Sequence, residues 1–252
     1  NLNLELLQFQ RHKEEDFQYN ISKAIVLGKL MNSKQLLLRL NRKRKILAVQ
    51  KAISGINSDL EAIESVDNID SLRGYEGVSA ARYFPALGQL ITSSEFDFSQ
   101  RNRQPPTDPV NSLLSFGYTL LFNNVLSLII AEGLSPYLGN FHYGEHKKPY
   151  LAFDLMEEFR SPVVDSLVLK LINKPVLKPD HFETSTQDKG VYLTDVARRT
   201  FLNNFESRMN EKMAHPEFQS QISYRQAIQL QIRRYKRSLM SSIAYEPFLR
   251  SA

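Results

Sequence analysis

A mainly α-helical bundle with one minor β-hairpin is the fold class that this sequence predicts. Apolar residues recur at three- and four-residue spacings through most of the chain, which is the signature of buried helix faces. The segment NSLLSFGYTLLFNNVLSLII is apolar nearly all round, as a central helix must be. Signals for strands are confined to one place, a turn at Asp188 to Gly190.

The elements follow in order. Phe17, Ile21, Ala24, Ile25 and Gly28 share one face, and the series continues through Leu36, Leu37 and Leu40, predicting a first long helix. Its end is a basic block, Arg39, Arg42, Lys43, Arg44 and Lys45. A second helix is expected from about Ile46 to Ile63. The polar stretch Ser65 to Ser71 reads as a loop, with Asp70 or Ser71 capping the helix that carries Glu76. Arg101, Arg103, Pro105, Pro106 and Pro109 leave the segment from Ser93 to Pro109 without a periodic face, so it is a loop. The central helix from Asn111 to Ile130 ends at Gly133 as a C-terminal cap, and Pro136 and Gly139 lead through a turn to His142. Another helix begins near Tyr150, and Pro162 must kink or restart it. Beyond Lys174, two prolines precede the hairpin, and Thr194 or Asp195 caps a further helix. A basic C-terminal helix is expected over about Pro216 to Ile243, with residues 1–252 forming one helical domain.

Composition narrows the function. With 252 residues and 42% hydrophobic content the chain can bury a sizeable core. A formal charge of +5 favours a polyanionic partner. The absence of cysteine excludes disulfides and thiolate metal sites, leaving oxygen and imidazole as metal ligands. The apolar run around Val125 to Ala131 reads as too short for a membrane span, and the N-terminus lacks a basic segment followed by an apolar one. A cytoplasmic protein without a membrane partner is the expectation. The chain opens on Asn1 directly in amphipathic sequence, which reads as a fragment with something missing upstream.

Several residues could carry chemistry. Glu76 lies between two glycines in GYEGVSAARYF, at the start of an otherwise apolar helix face, where a carboxylate needs water, a partner or a metal. In LAFDLMEEF, Asp154 and Glu157 share one helix face, and Asp154 borders the apolar stripe of Leu151, Leu155 and Phe159. His142 sits on a glycine-flanked turn before that helix. One imidazole with two or three carboxylates is a ligand mixture suited to Mn2+ or Mg2+. Each residue also has a plain structural reading: Glu76 as a paired or solvated carboxylate, His142 as a loop residue bonded to backbone, and Asp154 and Glu157 as partners of Arg160 or Lys147. His146 competes with His142 as a ligand.

The motifs together resemble a known family. GYEGVSAARYF, RNRQPPTDPVNSLLSFGYTLL, GLSPYLGNFH and LAFDLMEEFRSPVVD stand in the order and at the spacing of the CRISPR-associated integrase, the universal spacer-acquisition family. ISKAIVLGKLMNSKQLL is similar to that family's first long helix, and YEPF to its closing motif. The resemblance covers the helical catalytic domain and leaves out the family's N-terminal β domain. It implies a divalent metal, Mg2+ or Mn2+, held by Glu76, His142 and Glu157, with Asp154 as an additional ligand or a group orienting the site. It also implies an endonuclease and integrase that joins prespacer DNA to a CRISPR repeat by attack of 3′-hydroxyls. The implied partners are double-stranded DNA, a second copy of the chain, a bridging dimer of the small Cas-two protein and, in some members, a fused reverse transcriptase.

DNA affinity is expected from the first basic block and from Arg233, Arg234, Lys236 and Arg237 on the last helix. Tyr75, Tyr83 and Tyr118 are candidates for stacking on bases, or else core aromatics. Arg82 is expected to hold a carboxylate or the scissile phosphate. A non-catalytic DNA-binding scaffold and a general nuclease of branched DNA are the rival functions.

Overall fold

The computed structural model describes residues 2–144, 147–215, 218–241 and 243–250. Helix α1 (Leu2–Arg11) precedes the long α2 (Glu15–Asn41), then α3 (Leu47–Ile63), α4 (Ile69–Gly88) and α5 (Pro109–Ala131). Helix α6 (Tyr150–Phe159) runs through a π-helical stretch (Arg160–Asp165) into α7 (Ser166–Asn173). Strands β1 (Phe182–Thr184) and β2 (Val191–Leu193) form an antiparallel hairpin, followed by α8 (Asp195–Asn210). A second hairpin, β3 (Lys212–His215) with β4 (Phe218–Ser223), leads into α9 (Tyr224–Met240).

Helix α2 is the hub. It packs against α3, α4, α6 and the π-helical stretch, and α5 lies beyond α6 against α7, α9 and β2. One apolar core runs through both groups, with Ile25, Leu37, Leu114, Leu151, Phe159, Phe201 and Ile232 all buried. By length and composition α5 would suffice to cross a membrane, contrary to the short run read from the sequence. Here it is a core helix: Leu113, Leu121, Val125 and Ile129 are buried between its neighbours.

Several boundaries differ from the sequence expectation. Asn68, not Asp70 or Ser71, caps α4, because its side-chain oxygen accepts the Ser71 N–H at 2.8 Å and the helix has already begun at Ile69. The last helix starts at Tyr224 rather than near Pro216, since the preceding residues are paired as the second hairpin and Ser223 supplies a reciprocal cap with Gln226. Met240 ends it, and residues 243–250 run on without helix. Pro216 itself lies outside the described residues. Gly133 does end the central segment in a left-handed conformation, φ +77°.

Pro162 shapes the neighbourhood of the site. Without an N–H it cannot bond the carbonyl of Glu158, one helical turn before it, and the chain widens there into the π-helical stretch. The Asn32 side-chain amide supplies the missing donor to the Glu158 carbonyl at 2.8 Å. Its other bonds go to the C-terminal tail: it donates to the Phe248 carbonyl at 2.8 Å and accepts from the Arg250 N–H at 2.9 Å. Asn32 therefore stitches α2, α6 and the tail together. Gly28, one turn earlier, lets the tail lie close, because a Cβ there would stand 2.7 Å from the Pro247 Cβ.

Candidate metal centre

Glu76 and Glu157 reach each other from different helices through one cation. The Lys29 ammonium on α2 contacts Glu76 Oε1 and lies 2.7 Å from Glu157 Oε2. Glu157 is nearly sealed, with 2% of its side chain exposed, while Glu76 keeps 24% and opens the site outward. A Cβ added at Gly74 or Gly77 would meet nothing within 4 Å, so packing does not require glycine at either position and the space beside Glu76 is open.

The charge balance is severe. Burial alone would push the Glu157 carboxyl up, but Arg160 at 2.9 Å from Oε1, Lys29 and His142 outweigh it and hold the pKa at about 2. Glu157 is thus an anion at neutral pH in a nearly dry place. Arg160 is fixed in turn by the Tyr118 ring, 4.7 Å from its guanidinium. The reading of Glu157 as a partner of Arg160 is realised, although the pair is buried rather than on the surface.

His142 is built by its loop. Asp154 is completely buried, and its Oδ2 accepts the N–H groups of Asn140 at 2.5 Å and Phe141 at 3.1 Å. Its Oδ1 accepts the His142 N–H at 2.9 Å and faces Nδ1 of the same ring at 2.8 Å. A carboxylate only accepts, so Nδ1 carries the hydrogen, and Nε2 is the ring nitrogen that Asp154 does not engage. All four contacts orient the loop and the ring. Arg73, one turn before Glu76 on α4, ties the same loop down from the other side. It donates to the Phe141 carbonyl at 2.6 Å and to the Tyr143 hydroxyl at 2.9 Å, bracketing His142.

The donor set fits a hard divalent cation. Two carboxylates already meet on one positive charge, and Asp154 engages Nδ1 of the imidazole rather than Nε2. Among the described residues no three His, Asp or Glu side chains converge closely enough to hold an ion, and Lys29 stands between the two glutamates. His146 lies outside the described residues.

Other expected site residues go elsewhere. Tyr118 is buried, gives its hydroxyl to Asp165 at 2.6 Å and lies beneath Arg160 and Arg101, so it is not free to stack on a base. Tyr83 donates to the other Asp165 oxygen at 2.6 Å and is equally committed. Arg82 holds the Asp59 carboxylate of α3, which also accepts the Ser79 hydroxyl at 2.7 Å; it does not turn toward Glu76. Arg233 donates to Glu132 at 2.7 Å and Lys236 to the Glu132 carbonyl at 2.8 Å, which ties these two cations of the last helix to the end of α5. Arg234 reaches Gln231 on its own helix at 3.3 Å. Arg39, Arg42, Lys43 and Arg44 are exposed at the end of α2. Arg39 and Arg42 join Arg250 in a groove of about 340 Å³ that also includes Pro162.

Comparison with known proteins is consistent in one direction. Residues 1–207 match the family model described as CRISPR associated protein Cas1. The chain is 34% identical over 249 residues to the CRISPR-associated endonuclease Cas1 of Leptospira interrogans, covering 96% of this chain and 97% of that protein. It is 35% identical over 257 residues to a CRISPR-associated exonuclease Cas4/endonuclease Cas1 fusion of Geobacter sulfurreducens, covering 99% of this chain but only 46% of the fusion. Among solved structures, a casposase bound to integration product superposes with a TM-score of 0.87 at 25% identity, covering 98% of this chain and 67% of the other. A Cas6-RT-Cas1–Cas2 complex gives 0.87 at 25% identity, covering 100% of this chain and 27% of the other.

Proposed function

Because this chain belongs to the Cas1 family of CRISPR-associated endonucleases, we propose that it is a metal-dependent DNA integrase that joins prespacer 3′-hydroxyl ends to a CRISPR repeat. The observation that carries this reading is the convergence of Glu76 and Glu157 on a single cation beside an imidazole held by Asp154. Similarity to a casposase bound to integration product supports strand joining, and similarity to a complex containing Cas2 and a reverse transcriptase supports partners of those kinds.

Glu76, Glu157 and Nε2 of His142 would hold Mg2+ or Mn2+. The bound ion would lower the pKa of the attacking hydroxyl and shield charge on the phosphoryl oxygens. The protein's own part is to preset the ligands. Arg160 and Lys29 keep Glu157 ionised despite its burial, and Asp154 keeps the histidine hydrogen on Nδ1. In the joining step a bond forms between the prespacer 3′-oxygen and a repeat phosphorus while the bridging bond from that phosphorus to the repeat 3′-oxygen breaks. The attacking hydroxyl loses its proton and the departing 3′-oxygen gains one, so no nucleotide cofactor is consumed. With water as nucleophile the same site cleaves DNA, in keeping with the relatives named as endonucleases.

A strand-transfer assay with prespacer duplex and supercoiled repeat DNA tests the reading. Activity is expected with Mn2+ or Mg2+ and not with chelator. Glu76→Ala, His142→Ala and Glu157→Ala should each lower joining by about a hundredfold or more while leaving DNA binding largely intact, in line with the typical weight of electrostatic stabilisation at a phosphoryl group. Near-normal joining by any of the three removes that residue from the site.

A further inference from the structure

Lys29 differs from the other cations around the site in what it touches. Arg160 bonds the Oε1 atom of Glu157 and stays against Tyr118. Lys29 contacts one oxygen of each glutamate, Oε1 of Glu76 and Oε2 of Glu157, and comes from α2 while they come from α4 and α6. Its side chain is only 16% exposed. One compact ammonium thus lies against a carboxylate oxygen of each glutamate, at 2.7 Å from Glu157 Oε2. Without such a charge, two carboxylates brought this near would repel and turn apart.

We infer that Lys29 is a positioning residue of the reaction. Its ammonium holds Glu76 and Glu157 converged before metal arrives, and the metal takes its place. The inference rests on the metal reading of these two carboxylates. The cation that presets the ligands also competes for them, so the protein binds metal more weakly than the bare carboxylates would, by the fraction of molecules in which Lys29 has withdrawn. A lysine used only to brace three helices would leave metal affinity unchanged on removal, or lower it.

Calorimetric titration of Mn2+ into the wild type and Lys29→Met, with melting curves in chelator and in Mn2+, decides the matter. Lys29→Met should bind Mn2+ about tenfold more tightly, melt lower than the wild type in chelator and regain the difference in Mn2+. A folded variant with unchanged or weaker Mn2+ affinity overturns the inference. Should the variant not fold, the Lys29 Cε resonance of the wild type, assigned with Lys29→Arg, should move with the midpoint of a Mg2+ titration; a stationary signal overturns it equally. Glu76→Gln separates the two levels. Metal uptake unchanged in Glu76→Gln defeats the metal reading and the inference together, whereas uptake lost there but not strengthened in Lys29→Met leaves the metal site standing and removes the role of Lys29 alone.

Discussion

Asp154 fixes the His142 ring without reaching outward itself. It is sealed from solvent and surrounded by donors, three backbone N–H groups and the imidazole. Asp154→Asn would turn an amide N–H toward at least one of these donors and leave a buried group unpaired, a loss of about 1–3 kcal/mol. Strand joining should fall ten- to hundredfold, the usual effect of removing a carboxylate behind a metal-binding histidine, and the assay is metal-dependent joining measured beside a denaturant melt. Full activity would detach Asp154 from the site. Residue type and spacing singled out Glu76, His142, Asp154 and Glu157 as candidates but left their structural readings open, and only the resemblance of the linked motifs to a known family implied a ligand set. Lys29 and Arg73 were not singled out, because a single lysine or arginine on an amphipathic helix looks like any solvated cation. Only the three-residue offset of Arg73 from Glu76 hinted that it shares the carboxylate's face.

Helix α6 carries two adjacent glutamates with opposite behaviour. Glu157 faces the cations, whereas Glu158 faces inward, accepting from the Tyr245 hydroxyl and the Phe248 N–H, both at 2.6 Å. Burial outweighs these bonds and raises the Glu158 pKa to about 8. Between the ordinary carboxylate value near ~4.3 and about 8, the folded protein keeps a proton that the unfolded chain has released. Stability should therefore fall as pH rises through that window, by up to about 1.4 kcal/mol per pH unit, and level off above it. Glu158→Gln should flatten the decline from pH 6 to 8 in urea-unfolding curves. A remnant should persist below about 6, where burial has likewise raised Asp165 despite its two tyrosines. Glu157 acts in the other direction: its contribution is present above ~4.3 and lost as pH falls toward 2. An unaltered slope in Glu158→Gln would mean that Glu158 is ionised in the fold. The long elements around this site, α2, α4, α5 and α6, were legible in apolar periodicity, as was the break at Pro162. The β3–β4 hairpin was not, because its strands are short and the pairing is irregular between Met213 and His215. Nor was the commitment of Tyr118 and Tyr83 to Asp165, a convergence of three distant segments that no local spacing reports.

At the scale of the whole molecule, the net charge of +5 is unevenly used. Arg82, Arg160, Arg233 and Lys236 are tied to carboxylates or carbonyls within the fold. Arg44 likewise donates to the Leu90 carbonyl at 2.8 Å, whereas Arg39, Arg42 and Lys43 are exposed, the first two in the groove shared with Arg250. Replacing Arg39 and Arg42 together with alanine should weaken binding to DNA of any sequence and reduce the slope of log affinity against log salt by about 2, one for each phosphate contact. An unchanged slope would place the phosphates elsewhere. The segment 245–250 ties α2 to α6. Glu158 is buried beside Glu157, and both of its donors, with two of the three partners of Asn32, lie between residues 245 and 250. A change that lifts residues 245–250 away would therefore uncover the Glu158 carboxyl and untie Asn32 in a single step.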